Sequence, residues 1–379
     1  MLTRRTLLAS ACSAAASPLL TPVVFAATPG ENRLVVIVLR GAMDGIGSVV
    51  PYGDNRLPEL RPTLATAVGM ADLDGFYGLH PHFAGLQPLW QSGELGFVHA
   101  VSTPYRDKRS HFDGQDALEN GTGAMDGQMT GGRDGWLNRA IARIPGASAE
   151  TAIAIGQSRL LLMEGGAPVG SWSPATEFAL AEDERGLLAR LYADDPLFRA
   201  AFEGASGFSE MGRAVPRENG RALAEFAVER LNGPARIAAF SLGGWDTHRG
   251  QDNAIKNPAR QLAEAITTLK AGLGANWERT AVVAVTEFGR TARENGSRGT
   301  DHGTGGAMVV AGGALRGSKV HGRWPGLDNL YEDRDLMPTG DLRAWAGYTL
   351  HALFGISAVD VEREVFPGVD LREAKGIMA

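Results

Sequence analysis

The chain has 379 residues, a formal net charge of −6 and 44% hydrophobic residues, enough for one large globular domain or two smaller ones. A mildly acidic balance suits neither nucleic acid nor an anionic membrane surface, and no apolar run in the body approaches the ~20 residues that span a bilayer. The single cysteine, Cys12, can form no disulfide within the chain; the segment beyond residue 26 has none and so offers no thiolate to a metal or a substrate.

Residues 1 to 26 read as a bacterial twin-arginine export signal. Arg4-Arg5 precede an Ala/Leu-rich stretch that ends in the small-residue pattern Val24-Phe25-Ala26. The expectation is cleavage after Ala26, the Tat export machinery as a partner, and a periplasmic or secreted mature protein. Removing two arginines and no acids moves the net charge to −8.

Leu34 to Leu39 is a short, β-branched apolar run, predicted as a buried strand of parallel type. It ends in Arg40-Gly41-Ala42-Met43-Asp44-Gly45, a glycine turn carrying an aspartate. His80 and His82 lead into a predicted helix, Phe83 to Gln91, and Leu95 to Val101 is a second strand. Thr103 to Asp113 follows, with Ser110 at the start of a helical pattern that runs to Glu119. A helix N-terminus favours an oxyanion through its free N–H groups and dipole. As an isolated serine, Ser110 also fits a helix cap.

Trp136 to Arg143 is a predicted helix, and Thr151 to Ile155 and Arg159 to Met163 are predicted short strands. Residues 175 to 232 are helix-rich and charged, with Glu182 to Tyr192 and Gly220 to Leu231 the clearest helices. They read as an inserted helical cap, because strands resume at Arg236 to Leu242, Ala281 to Val285 and Ala307 to Ala311. Asn257 to Leu273 carries apolar residues at helical spacing. Strands alternating with helices give an α/β fold with a mostly parallel sheet.

Acids and histidines gather where these strands end, which is where an open α/β sheet places its ligands. Asp246 and His248, two apart after paired glycines, can both face one cation; the alternative is a helix cap beside a surface histidine. Glu287 is a metal ligand, a general base or a salt-bridge partner of Arg290. Asp301-His302 sits in a glycine-rich loop able to wrap a ligand, or forms a polar turn. Asp44 alone reads as structural, and its place after the first strand is what makes it a candidate ligand. His80, His82 and His111 are further candidates, while His99, His321 and His351 are assigned to structure.

Taken together, Arg40 to Gly45, Ser110-His111-Phe112-Asp113, Gly243 to His248, Thr286 to Thr291 and Thr300-Asp301-His302-Gly303 resemble the domain of unknown function 1501 family. That family in turn resembles the alkaline phosphatase and sulfatase superfamily. The resemblance implies one domain over residues 27 to 379, a three-layer alkaline-phosphatase-like sandwich with the cap as an insertion. It implies metal ligands at Asp44, Asp246, His248, Glu287, Asp301 and His302, a nucleophile at Ser110, and Arg109 or Arg290 against substrate charge. A divalent metal follows, zinc in first place, with manganese, calcium or magnesium as alternatives. Two departures from the superfamily stand out: the close spacing of Asp246 and His248, and Phe288 where a histidine often follows the acid. One of two metal sites therefore lacks a histidine, is completed by His111 or Asp301, or is absent. The implied activity is exported, metal-dependent hydrolysis of phosphate or sulfate esters. The alternative is a non-catalytic exported binding or assembly protein on the same scaffold.

Overall fold

The computed structural model describes residues 30–65, 69–106, 108–122, 134–173 and 219–379. The expected export signal and most of the expected cap, including Glu182 to Tyr192, lie outside them.

Strand β1 (Arg33–Leu39) is the centre of a sheet that holds nine strands among the described residues. The others are β2 (Leu95–Ser102), β3 (Ala152–Ile155), β4 (Gly170–Trp172), β5 (Ile237–Leu242), β6 (Thr280–Val285), β7 (Gly306–Ala311), β8 (Val320–His321) and β9 (Gly340–Asp341). Their order is β8-β2-β7-β6-β1-β5-β3-β4, with β9 also beside β2. All pairings are parallel except those of β7, which runs antiparallel to both β2 and β6. The mostly parallel α/β sheet expected from the sequence is thus present.

Side-chain alternation divides the core. Val35, Ile37 and Leu39 of β1 face one apolar layer, and Leu34, Val36 and Val38 face the other. The first layer is covered by α3 (Gly220–Asn232) and α4 (Lys256–Leu273), the second by α1 (His111–Asn120), α2 (Trp136–Ile141) and α5 (Leu342–Phe354). On α4 the buried Ala259, Leu262, Ala263, Ile266, Leu269 and Leu273 recur at helical spacing, and Gly274, with φ 53°, ends the helix.

Three local expectations change. Gly220 to Asn232, read as part of the cap, packs on α4 and β5 as a piece of the sandwich layer, because Leu223, Ala224, Ala227 and Leu231 form its buried stripe. Arg159 to Met163, read as a strand, contains a 3-10 turn, Leu161–Met163, whose Leu162 N–H is taken by the Glu119 carboxylate at 3.1 Å instead of by a sheet neighbour. The helix at Phe83 to Gln91 is split into a 3-10 turn, Pro81–Leu86, and a short α-helix, Gln87–Gln91, with Pro88 in its first turn, where a missing N–H costs no bond.

Register decides which loops meet. Leu39 lies opposite Leu242, and Val38 opposite Val285, so the carboxyl ends of β1, β5 and β6 align at one sheet edge. Because β7 is reversed, its first residue, Gly306, lies opposite Val101 near the end of β2. The segment before β7, which holds Asp301-His302, therefore reaches the same edge as the segments after the other strands.

Candidate metal centre

Each segment at this edge is fixed by its own contacts. After β5, Trp245 is buried and stacks on Phe83, which pins the turn that carries Asp246 and His248. Gly41, at φ 115°, lets the β1 turn lie against this segment; a Cβ there would come 2.6 Å from the Asp246 nitrogen. After β6 the chain pairs with the loop before β7: Gly289 N donates to Thr304 O (3.0 Å), Gly303 N to Gly289 O (2.8 Å) and Thr291 N to Asp301 O (2.9 Å). An antiparallel bridge joins Arg290 to His302. After β2, Arg109 adopts φ 51° and is held by the carboxylates of Asp335 (2.8 Å) and Glu332 (2.5 Å), placing His111 at the first turn of α1.

Three histidines converge on Asp246, each with its Nδ1 turned away to an acceptor. His111 Nδ1 lies 2.8 Å from Glu287 Oε1, His248 Nδ1 3.0 Å from Asp301 Oδ1, and His302 Nδ1 2.8 Å from the Arg109 carbonyl oxygen. A carbonyl or carboxylate oxygen can only accept, so each Nδ1 carries the proton, and in a neutral ring each Nε2 presents a lone pair. Those lone pairs meet around one carboxylate. His248 Nε2 is 3.0 Å and His302 Nε2 3.3 Å from Asp246 Oδ1, while His111 Nε2 lies 3.5 Å from Asp246 Oδ2. His111 Nε2 is buried and makes no hydrogen bond. His111, Asp246 and His302 each offer a ligand atom within 4.8 Å of the others. A set of imidazole nitrogens and one carboxylate, with oriented outer partners, fits a divalent cation of the zinc type.

The acids behind this set serve other purposes. Glu287 is fully buried; its Oε1 accepts from Gly41 N (2.9 Å), Gln115 Nε2 (3.3 Å) and His111. Burial alone would raise its carboxyl pKa, but the hydrogen bonds from His111, its own N–H, Gly41 and Gln115 outweigh that and hold it below the ordinary range. The same hydrogen bond, ahead of the opposing effect of burial, raises the His111 pKa and so its basicity at Nε2. Asp301 stands behind His248 and accepts also from Asn295 Nδ2 at 3.1 Å. For Asp246, burial is outweighed by the Arg290 guanidinium, whose Nη1 lies 2.6 Å from Oδ1, with a further contribution from His248 and His111.

Of the residues singled out in the sequence, the edge brings together Asp246, His248 and His302, with Glu287 and Asp301 one shell out. Asp44 is elsewhere. Its carboxylate is buried in a paired contact with Arg61, at 2.5 and 3.1 Å, and receives Gln251 Nε2 at 2.5 Å. Arg290, read as a countercharge for substrate, has a buried guanidinium directed at Asp246 and Thr300, which makes it a positioning group. Arg109 likewise spends its charge on Asp335 and Glu332. Ser110 is the N-cap residue of α1, yet its hydroxyl makes no capping bond, and its N–H donates to the Tyr105 hydroxyl at 3.1 Å.

His111 is the candidate ligand that the sequence reading placed among secondary candidates and as one way of completing a metal site. Its signal was the Ser-His-Phe-Asp motif at a helix start. His80 and His82 lie apart from the centre: His80 Nδ1 accepts from His82 N, and His82 Nε2 is 3.0 Å from Asp252 O.

The family model for protein of unknown function (DUF1501) matches residues 100–344, which include Asp246 and the three histidines around it. The chain belongs to the DUF1501 family. Comparison with curated proteins returned no match. Similar solved structures include the periplasmic domain of EptC from Escherichia coli in complex with zinc, at 11% identity and a TM-score of 0.44, covering 93% of each chain. The alkaline phosphatase of the Antarctic bacterium TAB5 is 12% identical, with a TM-score of 0.37, covering 77% of this chain and 94% of its own. The lipoteichoic acid synthase LtaP of Listeria monocytogenes is 12% identical, with a TM-score of 0.40, covering 92% and 78%.

Proposed function

We propose that this protein is an exported, metal-dependent hydrolase of phosphate or sulfate esters. The observation that carries the metal is the convergence of three imidazole Nε2 atoms on Asp246, each ring oriented from behind by an oxygen acceptor. The ester class rests on the resemblance of the five motifs to the alkaline phosphatase and sulfatase superfamily, and the export on the twin arginine at Arg4-Arg5. Zinc suits the nitrogen-rich donor set better than magnesium or calcium, which prefer oxygen, and better than manganese.

In this reading His111, Asp246 and His302, with His248 beside them, would hold the cation, which would supply Lewis acidity toward an ester oxygen. The other groups work through these. Glu287, Asp301 and the Arg109 carbonyl keep the three rings in the Nδ1–H form. Arg290 holds Asp246 in place and keeps it ionised. The Ser110 hydroxyl, not used as a cap, is the nucleophile of the reading: its oxygen bonds phosphorus or sulfur as the bond to the alcohol oxygen breaks, the serine proton passing to that leaving oxygen, and water later hydrolyses the seryl ester to the free anion and Ser110. The N-terminus of α1 favours negative charge at that position.

The test is a screen of phosphate monoesters, phosphate diesters and sulfate esters against metal-loaded protein, with Asp246→Ala and Ser110→Ala in parallel. The reading expects turnover that Asp246→Ala abolishes together with metal content, and that Ser110→Ala abolishes with metal content intact. Metal bound at full occupancy with no turnover of any ester would replace it with the non-catalytic binding protein. Protein that binds no metal would overturn the metalloenzyme altogether.

A further inference from the structure

We infer that the centre takes a single divalent cation and that Arg290, backed by the buried Asp44–Arg61 pair, stands where a second cation would otherwise need ligands. This inference rests on the metal-centre reading above and concerns how many ions the chain's own residues leave room for.

A second ion of zinc type would draw on further histidines or cysteines as well as carboxylates. All eight histidines lie among the described residues, and the only cysteine is Cys12. Beyond the three at the centre, the remaining histidines are spent elsewhere. His99 is buried between the Val49 carbonyl and the Ala100 N–H. His351 Nδ1 bonds Ile356 O, and His321 sits on the edge strand β8 beside Trp345. His80 and His82 bond each other's segment and Asp252.

An ion of magnesium type would need carboxylates, and among the described residues Asp44, Glu287 and Asp301 are committed. Asp44 belongs to Arg61, which is itself anchored by the carbonyls of Ala292 (2.9 Å) and Thr291 (2.7 Å). Glu287 belongs to His111, and Asp301 to His248 and Asn295.

The arginines are joined by a continuous buried relay. Asp44 Oδ2 accepts from Gln251 Nε2; Gln251 Oε1 accepts from Thr247 Oγ1 (2.9 Å) and Thr300 Oγ1 (2.7 Å). Thr300 in turn faces Arg290 Nε at 3.2 Å, and Arg290 Nη1 reaches Asp246 Oδ1 at 2.6 Å. A guanidinium is charged at every working pH, so Asp246 Oδ1, the oxygen that His248 and His302 approach, carries a permanent cation, and Oδ2 faces His111. A second divalent ion against Asp246, added to the first, would meet that charge at close range.

The decisive measurement is metal stoichiometry, taken on the full protein loaded with excess zinc, or with zinc and magnesium together, and desalted. Elemental analysis is expected to give one ion per chain. Asp44→Asn is expected to keep that ion, and His302→Ala to lose it. Two ions in the wild type would overturn the inference while leaving the metal reading standing; a fall from two to one in Asp44→Asn would identify Asp44 as the missed ligand. No ion in the wild type would overturn both. Should Asp44→Asn fail to fold, the wild-type stoichiometry still decides, and the absorption spectrum of a cobalt titration gives an independent end point at one or two equivalents.

Discussion

His248 Nε2 and His302 Nε2 face one another at 3.0 Å, each ring already donating its Nδ1–H to an oxygen. Two neutral rings in that state oppose lone pair to lone pair. The arrangement becomes favourable when a cation or a proton stands between them and Asp246, and it ties the stability of the edge to what is bound there.

Removal of metal is therefore expected to loosen the whole edge. A cation present at a hundred times its dissociation constant adds about 2.7 kcal/mol to the folded state. Treatment with a strong chelator should lower the melting midpoint by several degrees, and zinc should restore it. Calorimetric scans with and without chelator check this, and identical midpoints would count against a bound metal.

Glu287→Gln should weaken metal binding by about 10–100-fold, the usual effect of losing a ligand's outer partner. The amide oxygen can still accept from His111, so circular dichroism should be unchanged. Competition with a chromophoric chelator reads the affinity, and an unaltered value would mean that Glu287 does not act through His111.

Asp44→Asn should destabilise the protein by about 3–5 kcal/mol at neutral pH, because it leaves the Arg61 guanidinium buried without its counter-ion. Burial raises the Asp44 carboxyl pKa, but the charge and hydrogen bonds of Arg61, with Gln251 and Gly47, lower it overall from the ordinary 3.8. A folded pKa below the unfolded one adds stability that is complete above about pH 4 and is lost as pH falls toward the folded value. The gap between wild type and Asp44→Asn should thus hold from pH 7 to 5 and close below 4. Urea unfolding across that range tests both the size and the sign.

Gln251→Leu removes the acceptor of the Thr247 and Thr300 hydroxyls and one donor to Asp44. Leaving buried polar groups unpaired costs about 1–3 kcal/mol in stability. If the relay also steadies Arg290, zinc affinity should fall with it, whereas a purely structural role would leave affinity unchanged. Isothermal titration at a temperature where both forms are folded separates the two.

Much of this was legible in the sequence because strands and their ends are local features. The short apolar runs beginning at Leu34, Arg236 and Ala281 could hardly be anything but buried strands, and the acids that follow them had to lie at one edge if the sheet was parallel. The reversal of β7 was not legible. An apolar run as short as Ala307 to Ala311 has no direction, so the arrival of Asp301-His302 at that edge depended on pairing partners far away in the chain. The sorting of acids was also hidden. Asp44, Glu287 and Asp301 are chemically as able to bind metal as Asp246, and only the positions of Arg61, His111 and Asn295 decide which oxygens are already taken. Nothing local marks Arg61 as the partner of Asp44, and Gln251 stands out only as the residue four beyond Thr247. His111 carried a clearer sign, a histidine at a helix start within a motif, yet a lone histidine there is as often an ordinary surface residue.

The antiparallel β7 has a consequence for the order in which the molecule takes shape. His111 and Glu287 are 176 residues apart, and His302 reaches Asp246 across 56. No early local hairpin or helix can present two of these groups together with the others; the donors coincide only after β7 has inserted between β2 and β6. Contacts of such sequence separation form late and slowly. On the proposed metal reading, an ion would find little to grip in the partly folded chain, so loading would close folding and the ion would act as a latch on the completed sheet instead of a seed for it.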